Sequence, residues 1–200
     1  MDQNYIGFSE IMLFLKFQNT WILYLQIKIL KLSKATDFFE SLPPIQLKYR
    51  AAVLAHHIKT PTNIGQILRI AGNAHCDEVI LTYKTQKATD RLIKRTAVNS
   101  FGITPFHWVQ AQKLSLDILP KDKTPVIVET TPGAKNLYEC ALPANPIFIV
   151  GNESHGLDRE DLSLFDNKIY IPMPGKVVSM NVGNALSVVL FEWIRQQAKF

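Results

Sequence analysis

The chain has little of what would suit a disulfide-stapled, membrane-spanning or metal-bound protein. Only two of its 200 residues are cysteine, Cys76 and Cys140. They lie far apart and lack metal-ligand spacing, which excludes a disulfide scaffold and fits a reducing cytoplasm. His75 and Cys76 are adjacent, but a lone pair with no second pair reads as ordinary packing, so no metal is expected. The strongly apolar stretch 11–30 is interrupted by Lys16, Gln18, Asn19, Gln26 and Lys28. A spanning helix needs about 20 clean residues, so a membrane span is not expected. A basic start, apolar core and small-residue cleavage site do not occur there in order, which argues against a secretory signal. The stretch is read as an apolar face that packs on the domain or on a partner subunit. A peripheral membrane anchor or an extension from an early start codon are the alternatives. No G-x-G-x-x-G follows a strand pattern, which sets aside dinucleotide binding. There is also no Pro/Ser/Gly-rich linker, no repeat and no low-complexity segment.

What is present is enough for one substantial core: 47% of the residues are hydrophobic. The net charge of +5 is unevenly placed. Residues 1–100 carry 13 Lys/Arg against 7 Asp/Glu, whereas residues 101–200 carry 9 against 10. The basic first half is where contact with a polyanion is expected.

From residue 51 onward, strand-length apolar runs alternate with helical patterns. Strands are predicted at Val53–Ile58, Glu78–Tyr83, Phe106–Val109, Val126–Glu129, Pro146–Val150 and Lys168–Ile171. Helices are predicted at Thr62–Ala74, Ala88–Ser100 and Asn181–Ala198. That alternation implies an α/β fold, a mostly parallel sheet with helices on both faces. The domain is placed at 51–200, with 1–50 as an N-terminal extension. In the last helix Val182, Ala185, Leu186, Val189, Leu190 and Trp193 form one apolar stripe, and Asn181 stands where it can cap the helix start.

Three segments carry chemistry. In Asn63-Ile64-Gly65-Gln66-Ile67-Leu68-Arg69, the apolar Ile64, Ile67, Leu68 and Ala71 share a face and Arg69 projects roughly opposite. Asn63 sits near a helix start, which favours an anion such as phosphate. Gly65 permits close approach of a backbone or a ligand. The second segment, Gly151-Asn152-Glu153-Ser154-His155-Gly156-Leu157, directly follows a predicted strand. Its glycines allow an adenosine-like ligand to approach the backbone, and Glu153 can orient a catalytic group or cap the following helix. The third runs Ile171-Pro172-Met173-Pro174-Gly175 to Ser179-Met180-Asn181-Val182. Two prolines stiffen that loop, Gly175 relaxes it, and Ser179 and Asn181 present a hydroxyl and an amide at a helix entrance. Taken singly, each segment also reads as capping and packing. A basic row, Lys84, Lys87, Arg91, Lys94 and Arg95, has its last four members placed along one face of the second helix, where it can track phosphates or simply face solvent. His56, His57, His107 and His155 form no usable pattern.

In this order and spacing the three segments resemble the signature motifs of the SpoU/TrmH RNA 2′-O-methyltransferases, over roughly residues 52–198. One departure is Gly183-Asn184, where relatives usually carry small residues such as Ser-Val. The resemblance implies a homodimer whose C-terminal part forms a trefoil knot from the loops around Gly151–Leu157 and Ile171–Val182. It implies S-adenosylmethionine held by Glu129, Gly151, Ile171, Ser179 and Met180. It also implies a catalytic cluster of Asn63, Arg69, Glu153, Ser179 and Asn181, with Arg69 facing the cofactor across the dimer interface. The row from Lys84 to Arg95 is then the RNA-binding element.

The implied reaction moves a methyl group to a ribose 2′-OH of tRNA or rRNA. The hydroxyl is a poor nucleophile, so the enzyme must align it and ease loss of its proton. A guanidinium hardly ever deprotonates, so Arg69 is read as an electrostatic clamp rather than a base. The proton would leave through phosphate, Glu153 or water. The compact chain favours tRNA over a large ribosomal target. A knotted base methyltransferase, an RNA-binding module without turnover and a membrane-peripheral protein are the competing readings.

Overall fold

The computed structural model describes residues 37–199. The chain divides into two units, Met1–Ile45 and Gln46–Phe200. In the first, residues 37–40 are helical and Phe38 and Phe39 are exposed. The apolar stretch 11–30 lies outside the described residues.

The second unit is built on seven strands: β1 (Ala52–Ala55), β2 (Val79–Tyr83), β3 (Phe106–Gln110), β4 (Thr124–Val128), β5 (Lys135–Asn136), β6 (Pro146–Val150) and β7 (Lys168–Tyr170). They form one sheet in the order β3-β2-β1-β6-β4-β7-β5, with every adjacent pair parallel. The helices are α1 (Pro61–Asn73), α2 (Asp90–Ala97), α3 (Ser100–Ile103), α4 (Arg159–Ser163) and α5 (Val182–Gln197), with a 3-10 turn at Leu116–Ile118. β1 and β6 lie side by side at the centre and are buried along their whole length. Their unbroken apolar sequences suit strands covered on both faces.

The two faces are covered unequally. Val53, Ala55, Val79, Leu81, Phe148 and Val150 pack under α1, α2 and α5, through Ile64, Ile67, Leu68, Ile93, Leu186, Val189 and Trp193. On the other face Ala52, Leu54, Ile80, Ile127, Ile147 and Ile149 meet Leu114, Leu119, Leu157 and Phe165. Helices do flank both faces, but the second has only the 3-10 turn, α4 and loops. Fully burying a side chain such as Phe148 or Leu190 contributes about 1.5–3 kcal/mol. Trp193 is wholly buried and still satisfies its indole, donating Nε1–H to the Pro143 carbonyl at 3.0 Å.

α1 starts with Pro61, whose fixed φ and missing N–H suit a first helical position. The helix expected over Ala88–Ser100 is shorter and broken. α2 ends at Ala97, Val98 takes a left-handed φ of 53°, and α3 follows after Asn99. A β-branched residue in that region stops an α-helix, and no sequence period announces it. Gly65 admits a backbone rather than a ligand. A Cβ there would lie 2.6 Å from Thr96 Cβ and 2.9 Å from the Ile93 carbonyl of α2. At the amino edge of the sheet the buried Lys123 ammonium donates to the Arg50 carbonyl, Asn145 Oδ1 and Asp77 Oδ2, closing that edge.

Candidate active site

The carboxyl ends of β4, β6 and β7 open into a cleft of about 580 Å³. Val128 to Thr130, Val150 to Gly156, Tyr170, Ile171, Met173 and Val178 to Val182 line it. All five residues expected at a cofactor, Glu129, Gly151, Ile171, Ser179 and Met180, are on its wall. So are Glu153 and Asn181 of the expected catalytic cluster, but not Asn63 or Arg69. The floor is apolar (Val128, Val150, Ile171, Ala185). Among the lining residues are two carboxylates, Glu129 and Glu153, and no Lys or Arg.

The loop after β6 is folded on itself. Asn152 N–H donates to Gly156 O at 3.1 Å and Gly156 N–H to Asn152 O at 2.8 Å. A Cβ on Gly151 would run into the Gly156 carbonyl carbon and lie 2.7 Å from Leu157 N. Gly156 has a φ of 66°, and its Cβ would run into Glu129 Oε2. These two glycines are therefore required by geometry.

A hydrogen-bond chain joins the three segments. Glu153 Oε1 accepts from Thr60 N–H at 2.9 Å and from Asn63 Nδ2 at 3.0 Å, and Oε2 accepts from Lys59 N–H at 3.3 Å. Asn63 Oδ1 in turn accepts from Asn181 Nδ2 at 2.9 Å. Asn181 Oδ1 caps α5, accepting from Gly183 N–H at 2.9 Å and Asn184 N–H at 3.4 Å. Thr60 precedes α1 and makes no side-chain cap, so Glu153 serves that helix start from another loop. One expectation is corrected here: Glu153 binds the chain leading into α1 and the Asn63 side chain rather than capping the helix that follows it.

The same bonds set its basicity. Burial pushes the Glu153 carboxyl up. Hydrogen bonds from its own backbone N–H, Thr60, Asn63 and Lys59 outweigh that and hold it below the usual carboxylate range. Glu153 is thus held ionised and is a weaker proton acceptor than an ordinary carboxylate.

Arg69 is exposed on α1 and has no hydrogen bond or ion pair among the described residues. Ser179 is exposed too, and its hydroxyl is free of partners among the described residues. The basic row is all solvent-facing, but Lys87 is not on a helix face as expected. It lies in the loop before α2 with Nζ 5.2 Å from the Tyr83 ring centroid. Lys94 sits likewise over Phe101 at 4.8 Å.

Sequence reasoning missed a buried relay beside the cleft. His56 Nδ1 pairs with Thr82 Oγ1 at 2.9 Å, and His56 Nε2 faces Asp161 Oδ2 at 3.4 Å. Thr82 Oγ1 also accepts from His57 N–H at 3.1 Å, and Asp161 Oδ1 from Leu114 N–H at 2.9 Å. Burial, with His57 and Lys84 adding positive charge, lowers the His56 pKa to about 3. His56 is therefore neutral despite Asp161 beside it. Two adjacent histidines at the end of an apolar strand are the available signal, but their partners lie 26 and 105 residues away.

The model of the family described as "SpoU rRNA Methylase family" matches residues 50–191. An uncharacterized tRNA/rRNA methyltransferase of Synechocystis is 28% identical over 161 residues, covering 80% of this chain and 58% of the relative. The 23S rRNA (guanosine-2′-O-)-methyltransferase RlmB of Neisseria meningitidis is 29% identical over 163 residues, covering 80% and 63%. The chain spans about three fifths of the length of the curated relatives it matches. Among solved structures, an AdoMet-bound rRNA methyltransferase from Sinorhizobium meliloti superposes with a TM-score of 0.65 at 22% identity, covering 75% of this chain and 57% of that one. A structure described by 2-OH methylation of C/U34 on tRNA gives a TM-score of 0.63 at 24% identity, covering 79% and 94%. Those likenesses carry the fold, while the match across residues 50–191 carries the family. The chain belongs to the SpoU rRNA methylase family.

Proposed function

We propose that this chain is an S-adenosylmethionine-dependent methyltransferase acting on a ribose 2′-OH of RNA, as a homodimer, with tRNA favoured over rRNA. The observation that carries it is the charge of the cleft: two carboxylates, an apolar floor and no Lys or Arg in the wall. S-adenosylmethionine is a cationic sulfonium with an adenosine body, and the residues present fit it. Val128, Val150, Ile171 and Ala185 offer an apolar slot, and Glu129 offers a carboxylate for hydroxyl groups. Gly151 and Gly156 let the β6 loop close on itself and on Glu129, which shapes that wall of the cleft. When bound, the cofactor supplies an activated methyl group.

The chain's own residues then have distinct tasks. Glu153, Asn63 and Asn181 lock the β6 loop, the start of α1 and the start of α5 into one unit, so the cleft wall and α1 hold a fixed relation. Ser179 and Asn181 present polar groups where a ribose would enter. A phosphate and a developing alkoxide need positive charge, which the cleft wall lacks. Arg69, exposed and unpaired among the described residues, supplies it to the cleft of the partner subunit. The proton leaves to phosphate or water rather than to Glu153. RNA binds along Lys84, Lys87, Arg91, Lys94 and Arg95. In this reading the loops at Gly151–Leu157 and Ile171–Val182 form a trefoil knot, as the family resemblance implies. Residues 51–200 form the methyltransferase domain, 1–50 an extension, and the protein works in a reducing cytoplasm.

The test is methyl transfer from labelled S-adenosylmethionine into unmodified total tRNA and rRNA, with nucleoside analysis. A 2′-O-methylated nucleoside is expected. Arg69→Ala is expected to lose roughly 10²–10³-fold in kcat, the usual effect of removing one preorganised charge-stabilising donor, with an unchanged melting temperature. A methylated base would overturn the ribose assignment, and an active Arg69→Ala would overturn the clamp. Mixing Arg69→Ala with Gly151→Ala chains should restore part of the activity if Arg69 works across the interface.

A further inference from the structure

A second pocket, of about 460 Å³, opens on the same edge of the sheet, beyond the carboxyl ends of β1 and β2. It shares Asn152, His155 and Gly156 with the first cleft, so the β6 loop is a common wall. Its floor is the buried relay of His56, Thr82 and Asp161. Every polar atom of that relay has a protein partner, and Thr82 is 1% exposed, so the floor is a rigid support and not a nucleophile.

The rim has a different character. Lys59, Lys84 and Lys87 line it, are exposed, and have no carboxylate partner among the described residues, and they outnumber the one exposed carboxylate of the lining, Asp158. By contrast, Lys113 and Lys123 are each paired with an acid. Tyr83 stands half-buried at the side, edge-on to Trp108 at 6.0 Å. His57 holds a left-handed φ of 56°, uncommon for a residue with a Cβ, and its position is fixed from two sides. Asn152 Nδ2 donates to its carbonyl at 2.7 Å, and its Nε2 bonds the Ala111 carbonyl at 2.8 Å. A pocket with three ammonium groups at its mouth, none paired with an acid and one resting over the Tyr83 ring at its side, suits a phosphate joined to a flat base. Its volume is within the roughly 300–1,000 Å³ of small-molecule sites, enough for one nucleotide.

We propose that this pocket holds a nucleotide of the RNA strand adjoining the one whose ribose is methylated, with its phosphate on Lys59, Lys84 and Lys87 and its base against Tyr83 and His57. This rests on the methyltransferase reading above and gives it a second contact point. The shared wall makes the spacing of the two pockets a fixed ruler along the strand.

The test compares the wild type with Lys84→Ala/Lys87→Ala, Tyr83→Leu and, as a control outside the pocket, Lys113→Ala. It measures steady-state methylation of the substrate RNA, binding of a fluorescent oligoribonucleotide across a salt series, and S-adenosylmethionine binding by calorimetry. The double lysine variant should raise the RNA KM about tenfold or more. It should also flatten the salt dependence by about 0.7 per lost phosphate contact, with cofactor Kd within about twofold. Tyr83→Leu should weaken RNA binding about 5- to 150-fold, the loss of one stacked base, with the salt slope unchanged. Inorganic phosphate or a free mononucleotide competing as well as the oligonucleotide would overturn the strand assignment. If transfer persists while both variants keep RNA KM within twofold, the pocket assignment fails and the methyltransferase reading stands. If the wild type methylates no RNA, that reading fails, and the pocket stands or falls on whether the variants lose oligonucleotide binding.

Discussion

The two halves of the sheet are made differently, and the difference explains where the chemistry sits. In the first half, β1, β2 and β3 lie side by side in sequence order, and the chain between them is taken up by α1, α2 and α3. In the second half the order is β6-β4-β7-β5, and the connections are loops with only the short α4 among them. A crossover helix fills its connection with regular backbone and needs nothing further. A connection without one leaves irregular backbone at the strand ends, and the loops after β4, β6 and β7 converge there to form the cleft. The first half contributes only the start of α1, tied in by Asn63. Even the glycines divide this way: Gly65 brings two helices together, whereas Gly151 and Gly156 fold a loop against itself and against Glu129.

Glycine substitutions therefore test whether the halves are separable. The largest effect is expected from Gly151→Ala, since the new Cβ meets the backbone of Gly156 and Leu157, which cannot swing aside. Overpacking against backbone costs about 3 kcal/mol or more, and the shifted loop should lose S-adenosylmethionine binding at least 100-fold by calorimetry. Gly65→Ala should come next. Its Cβ meets Thr96 and the Ile93 carbonyl, so α2 must move, at about 1–3 kcal/mol by denaturant unfolding. Its cofactor Kd should stay within about twofold, because α2 touches no part of the cleft. A cofactor defect in Gly65→Ala as deep as that of Gly151→Ala would break the comparison.

Legibility in the sequence does not follow that division. β6 is read to the residue, and β2, β3, β4, β7, α1 and α5 to within two, but β1 ends at Ala55, three residues before the expected Ile58. The residues expected at the cofactor come from the family resemblance, and the structure gathers them on one wall. What escapes the sequence is short or distant. β5 has two residues and α4 has five, too few to show a period. The break at Val98 depends on one backbone angle. Glu153 reaches a helix start 93 residues upstream, and His56 meets Asp161 across the sheet, pairings that no local spacing encodes.

The relay of His56, Thr82 and Asp161 straddles the boundary between the halves, and acid should find it. The folded state holds His56 neutral down to about 3, whereas the unfolded chain protonates it near its ordinary 6.5. Between those values the unfolded state binds more protons, so stability falls as pH is lowered through that window. From pH 6.5 to 5, before most carboxylates titrate, this amounts to roughly 1–2 kcal/mol. His56→Gln should flatten that slope in urea unfolding, even as it lowers stability at neutral pH. An unchanged slope would mean that His56 titrates alike in the folded and unfolded chain, and a steeper fall in the variant would mean that His56 is charged in the fold and paired with Asp161.

The smallest effect should come from Gly175→Ala, because Gly175 is a glycine of the second half that the geometry of its own chain does not require. Gly175 stands in the loop between β7 and α5, beside the exposed Val177 and Val178. Unlike Gly151 and Gly156 it has open space where a Cβ would stand, and its φ is not in the left-handed region. Within one chain, then, alanine fits, and stability should change by less than about 0.5 kcal/mol, or rise slightly through a stiffer unfolded state. Cofactor affinity and methyl transfer should stay within about twofold. If Gly175→Ala instead loses activity while keeping its fold, the space around Gly175 is filled by another molecule in the working protein. Sedimentation would tell which: a weakened dimer assigns that space to the partner subunit, and an intact dimer with a raised RNA KM assigns it to the substrate.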